Sequence, residues 1–416
     1  MKKAIVFTLG CKVNQCESQE IVNLLNEFDF CTAVNLGHAD LYIINTCSVT
    51  NEADKKSRQA IARAKKFNNK ADIIVIGCSV EKGFEDRDGI VLIGQKNKIE
   101  QLRKHIKTNF CFSPAPMIYS SAQSEGFSVH SKKRPMIKIQ DGCNRFCSYC
   151  IVPYLRGRSV SRPIDEIIRE VEILRLAQDG FNGSENLTKE IVLVGIDISS
   201  YDHLLTLIKE LGNNFKKDFR FRLGSLEQSV ITHEFLSALE QNNFCEHFHL
   251  SLQSGSDTVL ERMNRHYTTK QFLEKMHLIR EYFPSASITT DIIAGFPNET
   301  EAEHSQTLDL IEQAKFSNIH AFPFSARQGT KAFDMDGQLS SQIKKERANK
   351  IIEIAKRHRQ NFFDKNIGQT QEVFVEERLD SEYNAGYTRS YIRVRTKEKI
   401  GALRKIQINK ESIIHE

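Results

Sequence analysis

The 416-residue sequence predicts an α/β protein in three parts: an N-terminal open parallel α/β domain, a central partial (βα)6 barrel and a small C-terminal β-module. Three observations lead to this architecture. Short apolar runs alternate with helical patterns over residues 1–111, and the same alternation resumes over residues 136–364. Residues 365–416 instead carry short strand patterns. A chain of this length is expected to form two or three domains.

The N-terminal domain, residues 1–111, is predicted from four apolar runs of the right length for buried parallel strands. Between them, Glu17–Phe28 and the basic stretch Glu52–Phe67 have helical spacing. Strands that are joined through helices form a parallel sheet with helices packed on its faces. The predicted strands are Ala4–Leu9, Leu41–Asn45, Asp72–Ile76 and Ile90–Ile93.

Three cysteines each follow one of these predicted strands. Cys11 follows the first strand, Cys47 the second and Cys78 the third. Because ligand sites in open α/β sheets lie beyond the carboxyl ends of the strands, we expect these thiols to converge on a metal cluster. The alternative is three buried core thiols, although core cysteines would lie within the strands. Cys16, at the start of the predicted helix, could be a fourth ligand. Cys31, Cys111 and Cys245 are interpreted as structural.

A Ser- and Pro-rich stretch, residues 112–135, has no periodicity and is predicted to be a linker. After it, six strand patterns alternate with helical patterns up to residue 364, which favours a partial barrel with functional groups at the carboxyl ends of its strands. The basic helix Gln342–Phe363 closes this barrel. The predicted strands of the barrel are Met136–Gln140, Ile191–Ile196, Arg220–Leu223, His247–Leu252, Ile288–Ala294 and Ile319–Phe324. Its other predicted helices include Ile164–Gln178, Thr232–Gln241, Thr269–Tyr282 and Glu299–Ala314.

Directly after the first barrel strand, three thiols stand close together at Cys-x3-Cys-x2-Cys spacing: Cys143, Cys147 and Cys150. Three thiolates can hold a 4Fe–4S cluster and leave one iron without a protein ligand, so that this iron can bind a small molecule. The alternative is a zinc knuckle. A closed zinc site needs four ligands, however, and no His or Cys follows within twenty residues. The spacing therefore indicates a site for chemistry.

The C-terminal module, residues 365–416, combines strand patterns with a cluster of positive charge. The predicted strands are Glu372–Glu376, Tyr387–Thr396 and Arg404–Asn409. Tyr387 and Tyr391 are interleaved with seven cations, a pattern that fits phosphate contact and base stacking on RNA. The alternative is a solvated basic face. The seven cations are Arg389, Arg393, Arg395, Lys397, Lys399, Arg404 and Lys405.

The composition of the chain indicates its cellular compartment and limits its possible partners. Ten cysteines without a secretory signal favour a reducing cytoplasm, where thiols bind metals rather than form disulfides. The sequence has no run of eighteen apolar residues, so no membrane partner is expected. The net charge of +5 is too small to indicate nucleic-acid binding by itself.

In the order of its motifs, the chain resembles the radical S-adenosylmethionine (SAM) methylthiotransferase family over nearly its whole length. Within this family it is most similar to the branch that acts on N6-threonylcarbamoyladenosine in tRNA, because Thr50, Asn51, Ala53 and Asp54 follow Cys47. The matching stretches are Leu9–Gln15, Asn45–Arg58, the Cys143 loop with Ile151–Gly157, His249–Asp257, Thr290–Pro297 and Arg327–Thr330.

The resemblance implies two 4Fe–4S clusters: one on Cys143, Cys147 and Cys150 that binds SAM, and an auxiliary cluster on Cys11, Cys47 and Cys78. It implies SAM cleavage to a 5′-deoxyadenosyl radical and delivery of a methylthio group to carbon 2 of adenosine 37 in the anticodon stem-loop. The tail would be a TRAM-type RNA-binding module, and flavodoxin or ferredoxin would donate electrons; the sequence does not identify the sulfur donor. The implied SAM contacts are Tyr149, Gly195, Asp197, Glu227, Gln253 and Asp291.

Two alternatives stay open at this point. One keeps the chemistry but changes the substrate to N6-isopentenyladenosine tRNA or to an aspartate of a ribosomal protein; the basic tail argues against the protein substrate. The other is a non-catalytic RNA-binding protein that carries iron–sulfur or zinc. Formation of 5′-deoxyadenosine from SAM would distinguish an enzyme from such a binding protein.

Overall fold

The computed structural model describes residues 2–81, 89–110, 134–179 and 188–415. The chain forms two compact units: Met1–Lys132 with Cys150–Gly157, and Lys133–Tyr149 with Arg158–Glu416. Except for its last two residues, the predicted linker lies outside the described residues, as does Cys111. The barrel and the C-terminal module, which the sequence suggests as separate domains, share the second unit.

The first unit contains a five-stranded sheet in the order β2-β1-β3-β4-β5, in which all neighbours are parallel. The predicted open α/β fold is thereby confirmed. The short edge strand β2 and helix α4 were not predicted from the sequence, because three residues are too few to show a pattern in β2. The strands are β1 (Lys3–Thr8), β2 (Cys31–Ala33), β3 (Leu41–Thr46), β4 (Asp72–Gly77) and β5 (Ile90–Ile93); the helices are α1 (Lys12–Glu27), α2 (Asn51–Phe67), α3 (Cys78–Glu81), α4 (Lys98–Asn109) and α5 (Val152–Arg156).

Apolar side chains on both faces of this sheet explain why its strands read as continuous apolar runs. Ile43 and Ile74 pack with apolar side chains of α1 and α4 on one face, whereas Ile44 and Val75 pack with those of α2 on the other. The strand register places Thr8 beside Asn45 and Thr46 beside Gly77. As a result, the carboxyl ends of β1, β3 and β4 lie side by side.

The second unit contains the barrel strands in two parallel sheets, in the orders β10-β9-β6 and β11-β12-β13-β14. Only Gly224 separates β10 from β11, so the chain passes from one sheet into the other. The strands are β6 (Met136–Lys138), β9 (Glu190–Val194), β10 (Arg220–Leu223), β11 (Ser225–Leu226), β12 (His247–Gln253), β13 (Ser287–Ala294) and β14 (Asn318–Pro323), with the antiparallel pair β7 (Gln140–Asp141) and β8 (Val160–Ser161).

Helices cover the outer face of these strands, and one large apolar core lies between the two layers. Thr268 and Thr300 each begin a helix with a reciprocal capping box, which explains why the starts of these two helices are sharp. The helices are α6 (Ile164–Asp179), α7 (Leu204–Phe215), α8 (His233–Gln241), α9 (Asp257–Arg262), α10 (Thr269–Tyr282), α11 (Glu301–Ala314) and α12 (Ser341–Asn366).

The C-terminal module is a four-stranded antiparallel sheet in the order β17-β16-β15-β18. The prediction of a single strand over Tyr387–Thr396 is wrong: two strands flank a turn, in which the Thr388 carbonyl accepts from Tyr391 and Thr388 N–H donates to Ile392. The regular alternation of Tyr and Arg concealed this turn, where Tyr391 has φ +68°. The strands are β15 (Thr370–Arg378), β16 (Asn384–Thr388), β17 (Arg393–Thr396) and β18 (Leu403–Gln407).

A buried ionic network joins this sheet to the amino-terminal ends of the barrel strands. Glu190 is fully buried and lies 2.7 Å from both Arg220 and Arg222, with Arg134 at 3.4 Å. Arg222 also donates to the carbonyl oxygens of Thr388 and Arg389, and Arg220 donates to that of Tyr387. The two sheets are therefore connected through arginines that one carboxylate holds in place.

Candidate metal centres

In the first unit, the three cysteines that follow strands lie at neighbouring strand ends. Cys47 and Cys78 directly follow β3 and β4, and Cys11 lies three residues after β1, at the start of α1. Burial, together with the nearby thiols of Cys78 and Cys11, raises the pKa of Cys47 to about 11. The three thiols are thus close enough to interact electrostatically. Cys16 is buried on α1.

Two glycines give these thiols their positions. Gly10 has φ +97°, and a Cβ atom there would lie 2.6 Å from Cys47 Cβ and 2.9 Å from Cys47 Sγ. Gly77 has φ +106°, and its Cβ would lie 2.7 Å from the Thr46 carbonyl oxygen. Residues with side chains rarely adopt such a backbone. Each glycine lets the backbone turn sharply just before a cysteine.

In the second unit, the loop that carries Cys143 and Cys147 is held in an unusual backbone conformation. Gly142 and Phe146 have φ +70° and +49°. Asn264 Nδ2 donates to the Phe146 carbonyl oxygen at 3.0 Å, and Ser148 N–H donates to that of Met263 at 3.0 Å. Cys150, the third thiol of the motif, begins the short segment that belongs to the first unit.

Acidic groups predicted from the sequence lie beside this loop, and two arginines fix them. Arg145 Nε lies 2.7 Å from Asp197 Oδ2, and Cys143 Sγ is 3.9 Å from the same oxygen. Arg265 bonds to Glu227 and places its Nη1 3.5 Å from Cys147 Sγ. The structure therefore brings Asp197 and Glu227 to the thiol loop.

Sequence reasoning missed three residues that organise this site: Gln140, Arg145 and Arg265. Gln140 accepts from Asp197 N–H at 2.8 Å and donates to the Gly142 carbonyl oxygen at 2.7 Å, so it ties the thiol loop to the loop after β9. Arg145 could have been noticed, because it lies within the cysteine motif. Arg265 is more than a hundred residues away, and nothing in its local sequence indicates a role.

The remaining predicted SAM contacts have distinct surroundings. Gln253 ends β12 with φ +72°, a strained conformation for a side chain that is 8% exposed. Tyr149 packs against a cluster that contains Met263 and Phe296. A Cβ atom on Gly195 would lie 3.0 Å from Gln140 Oε1. These three residues therefore lie in tightly packed or strained positions.

The position of Asp291 differs from the expected strand end. It lies within β13, three residues before the strand finishes, and its Oδ2 is 3.2 Å from His249 Nε2. Among the described residues, His249, Asp291 and His320 are the one set of three whose ligand atoms all lie within 4.8 Å of one another.

This spacing bears on the zinc alternative. Ligands about 2.3 Å from a zinc ion lie within about 4 Å of one another, and the thiols of Cys11, Cys47 and Cys78 in the first unit are not that compact. A multi-iron cluster holds its thiolates farther apart. This sulfur-only donor set therefore fits an iron–sulfur cluster better than a single zinc ion.

The cations of the C-terminal module fall into two groups. Arg389 bonds to Glu246 and Asn243 of the barrel at 2.9 and 2.8 Å, and Arg393 bonds to Glu377 at 2.6 Å. These two guanidinium groups are therefore engaged within the protein. The other five cations are exposed, although Lys397 also pairs with Glu382 and Arg404 with Glu398 at the surface: Arg395, Lys397, Lys399, Arg404 and Lys405.

The expectation that Tyr387 and Tyr391 present open faces to nucleobases is wrong. Their rings stack on each other at 4.7 Å, and Tyr391 also stacks on His247 at 4.7 Å. The Arg134 guanidinium lies 4.3 Å from the Tyr387 ring centre. Both rings thus help to attach the C-terminal sheet to the barrel.

Two sequence families match the chain. Residues 137–311 match the Radical SAM superfamily, and residues 3–88 match Uncharacterized protein family UPF0004. The chain is also similar in fold to the structure of the radical SAM methyltransferase TsrM from Kitasatospora setae, with a TM-score of 0.55 and 14% identity over 80% of this chain and 76% of that one. This likeness concerns the fold alone.

Curated relatives cover nearly the whole chain. It is 33% identical over 97% of its length to the threonylcarbamoyladenosine tRNA methylthiotransferase MtaB of Bacillus subtilis (strain 168), 93% of which it covers. It is 37% identical over 88% of its length to MtaB of Chlamydia pneumoniae, 85% of which it covers. A tRNA-2-methylthio-N(6)-dimethylallyladenosine synthase of Pelotomaculum thermopropionicum is 31% identical over 91% of this chain, which covers 88% of that protein.

None of the helices in the described residues is long and apolar enough to cross a membrane.

Membership of the Radical SAM superfamily implies a 4Fe–4S cluster and SAM as cofactors. Together with the full-length relatives, these matches show that the chain belongs to the radical SAM methylthiotransferase family and is an enzyme that transfers methylthio groups.

Proposed function

We propose that this enzyme is a tRNA (N6-threonylcarbamoyladenosine(37)-C2)-methylthiotransferase. The observation that carries the reaction class is the presence of two three-thiol sets in the chain, one at the strand ends of the first unit and one at Cys-x3-Cys-x2-Cys spacing. The substrate is proposed from relatives named for threonylcarbamoyladenosine tRNA, at up to 37% identity. The relative named for dimethylallyladenosine is 31% identical.

The two thiol sets have different roles in this proposal. Carbon 2 of adenine is neither acidic nor nucleophilic enough for ordinary substitution, so cofactors must carry the difficult step. When bound, the clusters and SAM supply a 5′-deoxyadenosyl radical and a methylthio group. The SAM-binding cluster would be held by Cys143, Cys147 and Cys150, and the auxiliary 4Fe–4S cluster by Cys11, Cys47 and Cys78.

The residues of the barrel would bind and orient SAM. Asp197 and Glu227 are acceptors for its amino group, and their ion pairs with Arg145 and Arg265 fix both carboxylates before SAM binds. Because these groups are preorganised, little side-chain entropy is lost on binding. Further contacts are proposed for Tyr149, Gly195, Gln253 and Asp291.

The exposed cations of the C-terminal module would contact tRNA phosphates, since RNA affinity depends on neutralising phosphate charge. The module would place the anticodon stem-loop so that adenosine 37 reaches the barrel. We place the enzyme in the cytoplasm, with flavodoxin or ferredoxin as electron donor. The proposed contacts are Arg395, Lys397, Lys399, Arg404 and Lys405.

Anaerobic reconstitution followed by reduction with dithionite tests the two cluster roles separately. Cys147→Ala should abolish formation of 5′-deoxyadenosine, whereas Cys47→Ala should retain it but form no methylthiolated tRNA. Cys31→Ala is the matched control, because this thiol lies in the edge strand of the first unit; it should leave both products unchanged. Methylthiolated tRNA from Cys47→Ala would contradict the auxiliary role.

Mass spectrometry of tRNA nucleosides tests the substrate. A deletion strain should lack 2-methylthio-N6-threonylcarbamoyladenosine and accumulate the unmethylthiolated nucleoside, and the wild-type gene should restore the product. Loss of the methylthio isopentenyl nucleoside instead would assign the enzyme to the other tRNA substrate. Unchanged tRNA with a missing ribosomal-protein modification would exclude tRNA as the substrate.

A further inference from the structure

Three side chains with nitrogen or oxygen donor atoms lie on adjacent strands of the barrel. His249 is on β12, Asp291 on β13 and His320 on β14. Asp291 and His320 are direct partners in the strand register. His249 is the partner of Thr289, which lies two residues before Asp291 and so points to the same face of the sheet. His249, Asp291 and His320, the His–Asp–His triad, therefore share one face of the sheet.

This face is the inner side of the partial barrel. A sequence neighbour of each triad residue is buried in the core between the strands and the helices: Leu250, Ile292 and Ile319. Because successive side chains of a strand point to opposite faces, the triad points away from this core. Two of its side chains are half-buried, and that of His320 is exposed. The triad is therefore accessible from the interior of the barrel.

The donor atoms of the triad are close enough to converge on one ion. His249 Nε2 lies 3.2 Å from Asp291 Oδ2, and the ligand atoms of all three residues lie within 4.8 Å of one another. Donors that each lie about 2.1 Å from one metal ion are about 3–3.5 Å apart in tetrahedral or octahedral geometry. One pair already has this spacing. The others need to close by about 1–2 Å, which rotation of the exposed His320 side chain provides.

The surroundings of His249 orient its ring toward the other two residues. Its Nδ1 lies 2.9 Å from Thr289 Oγ1. A metal-bound histidine almost always has its second ring nitrogen in such a hydrogen bond, which fixes the orientation of the ring. An ion pair between His249 and Asp291 would explain their contact, but it would not require a second imidazole beside them. The position of His320 is therefore the feature that favours a metal ion.

We propose that the His–Asp–His triad binds a divalent transition metal ion such as Zn²⁺. Two imidazoles and one carboxylate are a donor set that holds Zn²⁺ or Fe²⁺ and leaves coordination positions open. The site uses no thiol, so it does not depend on the function proposed above. Asp291 is also a proposed SAM contact; its Oδ2 faces His249, and its other oxygen stays available for SAM.

The position of the ion in the barrel follows from the next residue on the same face. Ile293, two residues after Asp291, packs in the cluster that contains Tyr149. Two residues of a strand span about 7 Å. The ion would therefore lie about one such step from the region proposed to bind SAM, with its open positions toward the interior of the barrel.

Zinc titration of the cluster-loaded protein under anaerobic conditions tests the site, because the clusters occupy the cysteines of both thiol sets. Elemental analysis after gel filtration should find one zinc ion per chain, and calorimetry gives its affinity. His320→Ala and Asp291→Asn should each weaken binding by roughly a hundredfold or more, since even the loss of a group that supports a ligand costs about 10–100-fold. His277→Ala is the matched control. It removes an exposed histidine of helix α10, and it should leave the affinity unchanged.

Two further measurements make the result decisive. Zinc should raise the melting temperature of the wild type and of His277→Ala but not that of His320→Ala, because an ion that binds only the folded state stabilises it. X-ray absorption at the zinc edge should show nitrogen and oxygen neighbours at about 2.0–2.1 Å. Sulfur neighbours at about 2.3 Å would assign the zinc to cysteines and overturn the proposal. A wild type that binds no zinc, or an unchanged affinity in His320→Ala, overturns it as well.

Discussion

Glu190→Gln probes the buried network that attaches the C-terminal sheet to the barrel. The substitution keeps the shape of the side chain but removes the one negative charge that faces three arginines. Arg134 and Arg220 retain Glu376 and Glu372 as further partners, whereas the ion pairs of Arg222 among the described residues involve Glu190 alone. The guanidinium of Arg222, fully buried, would thus lose its counter-charge.

The expected loss of stability follows from this burial. Breaking a buried ion pair by removing one partner costs about 3–5 kcal/mol, because the other charge stays buried and unpaired. For a domain of this size, such a loss lowers the melting temperature by roughly 10 °C. Burial opposes ionisation of Glu190, but Arg222, Arg220 and Arg134 hold its pKa well below the ordinary value. The stabilisation is therefore present above pH 4.5 and is lost only as the pH falls through this lowered pKa.

Thermal unfolding of the cluster-loaded protein, followed by circular dichroism under anaerobic conditions, measures this effect. Asp165→Asn is the matched control. Its partner Arg169 lies 3.6 Å away, and both side chains are about 70% exposed, so removing the pair should cost less than about 1 kcal/mol. A melting temperature of Glu190→Gln within about 2 °C of wild type would refute the reasoning.

Three further changes test other parts of the molecule. Burial lowers the pKa of His304 to about 4, so the wild type loses stability as the pH falls from 6.5 to 4, whereas His304→Leu does not. Urea titrations should show that the difference in the free energy of unfolding shifts in favour of the variant by about 2 kcal/mol at pH 5. A difference that stays constant with pH would contradict this. Gly10→Ala should reduce iron from about eight to about four per chain, since its Cβ would collide with Cys47; full iron loading would show that the backbone can adjust. Arg395, Lys397 and Lys399, three exposed cations, can be replaced together with Gln. The slope of log affinity for tRNA against log salt concentration should then become shallower by about 0.7–0.9 for each phosphate that is no longer neutralised. An unchanged slope would exclude these three residues as tRNA contacts.

Much of the fold could be predicted because parallel strands buried on both faces read as apolar runs. The strands Ile90–Ile93 and Arg220–Leu223 and the helix Thr269–Tyr282 have the predicted bounds. The arrangement of Cys11, Cys47 and Cys78 could also be predicted, since each follows a strand and neighbouring parallel strands finish at one edge.

What the sequence could not reveal depends on contacts between distant residues. The cation cluster suggested a uniform RNA surface, but Arg389 and Arg393 are used in ion pairs with Glu246 and Glu377. Tyr391 looked available for stacking, yet it lies in a turn against His247. The partner of each residue lies in another segment, and its local pattern does not distinguish a cation that binds RNA from one that binds a carboxylate.

The attachment of the C-terminal sheet to the starts of the barrel strands has a geometric consequence for the proposed reaction. Strand β9 has five residues and so spans about 17 Å. The thiol loop lies at its far end, where Gln140 bonds to the backbone of Asp197. If the exposed cations bind tRNA as proposed, the distance between this binding surface and the thiol loop is fixed. The nucleotide that reaches the loop would then be determined by its distance from the stem.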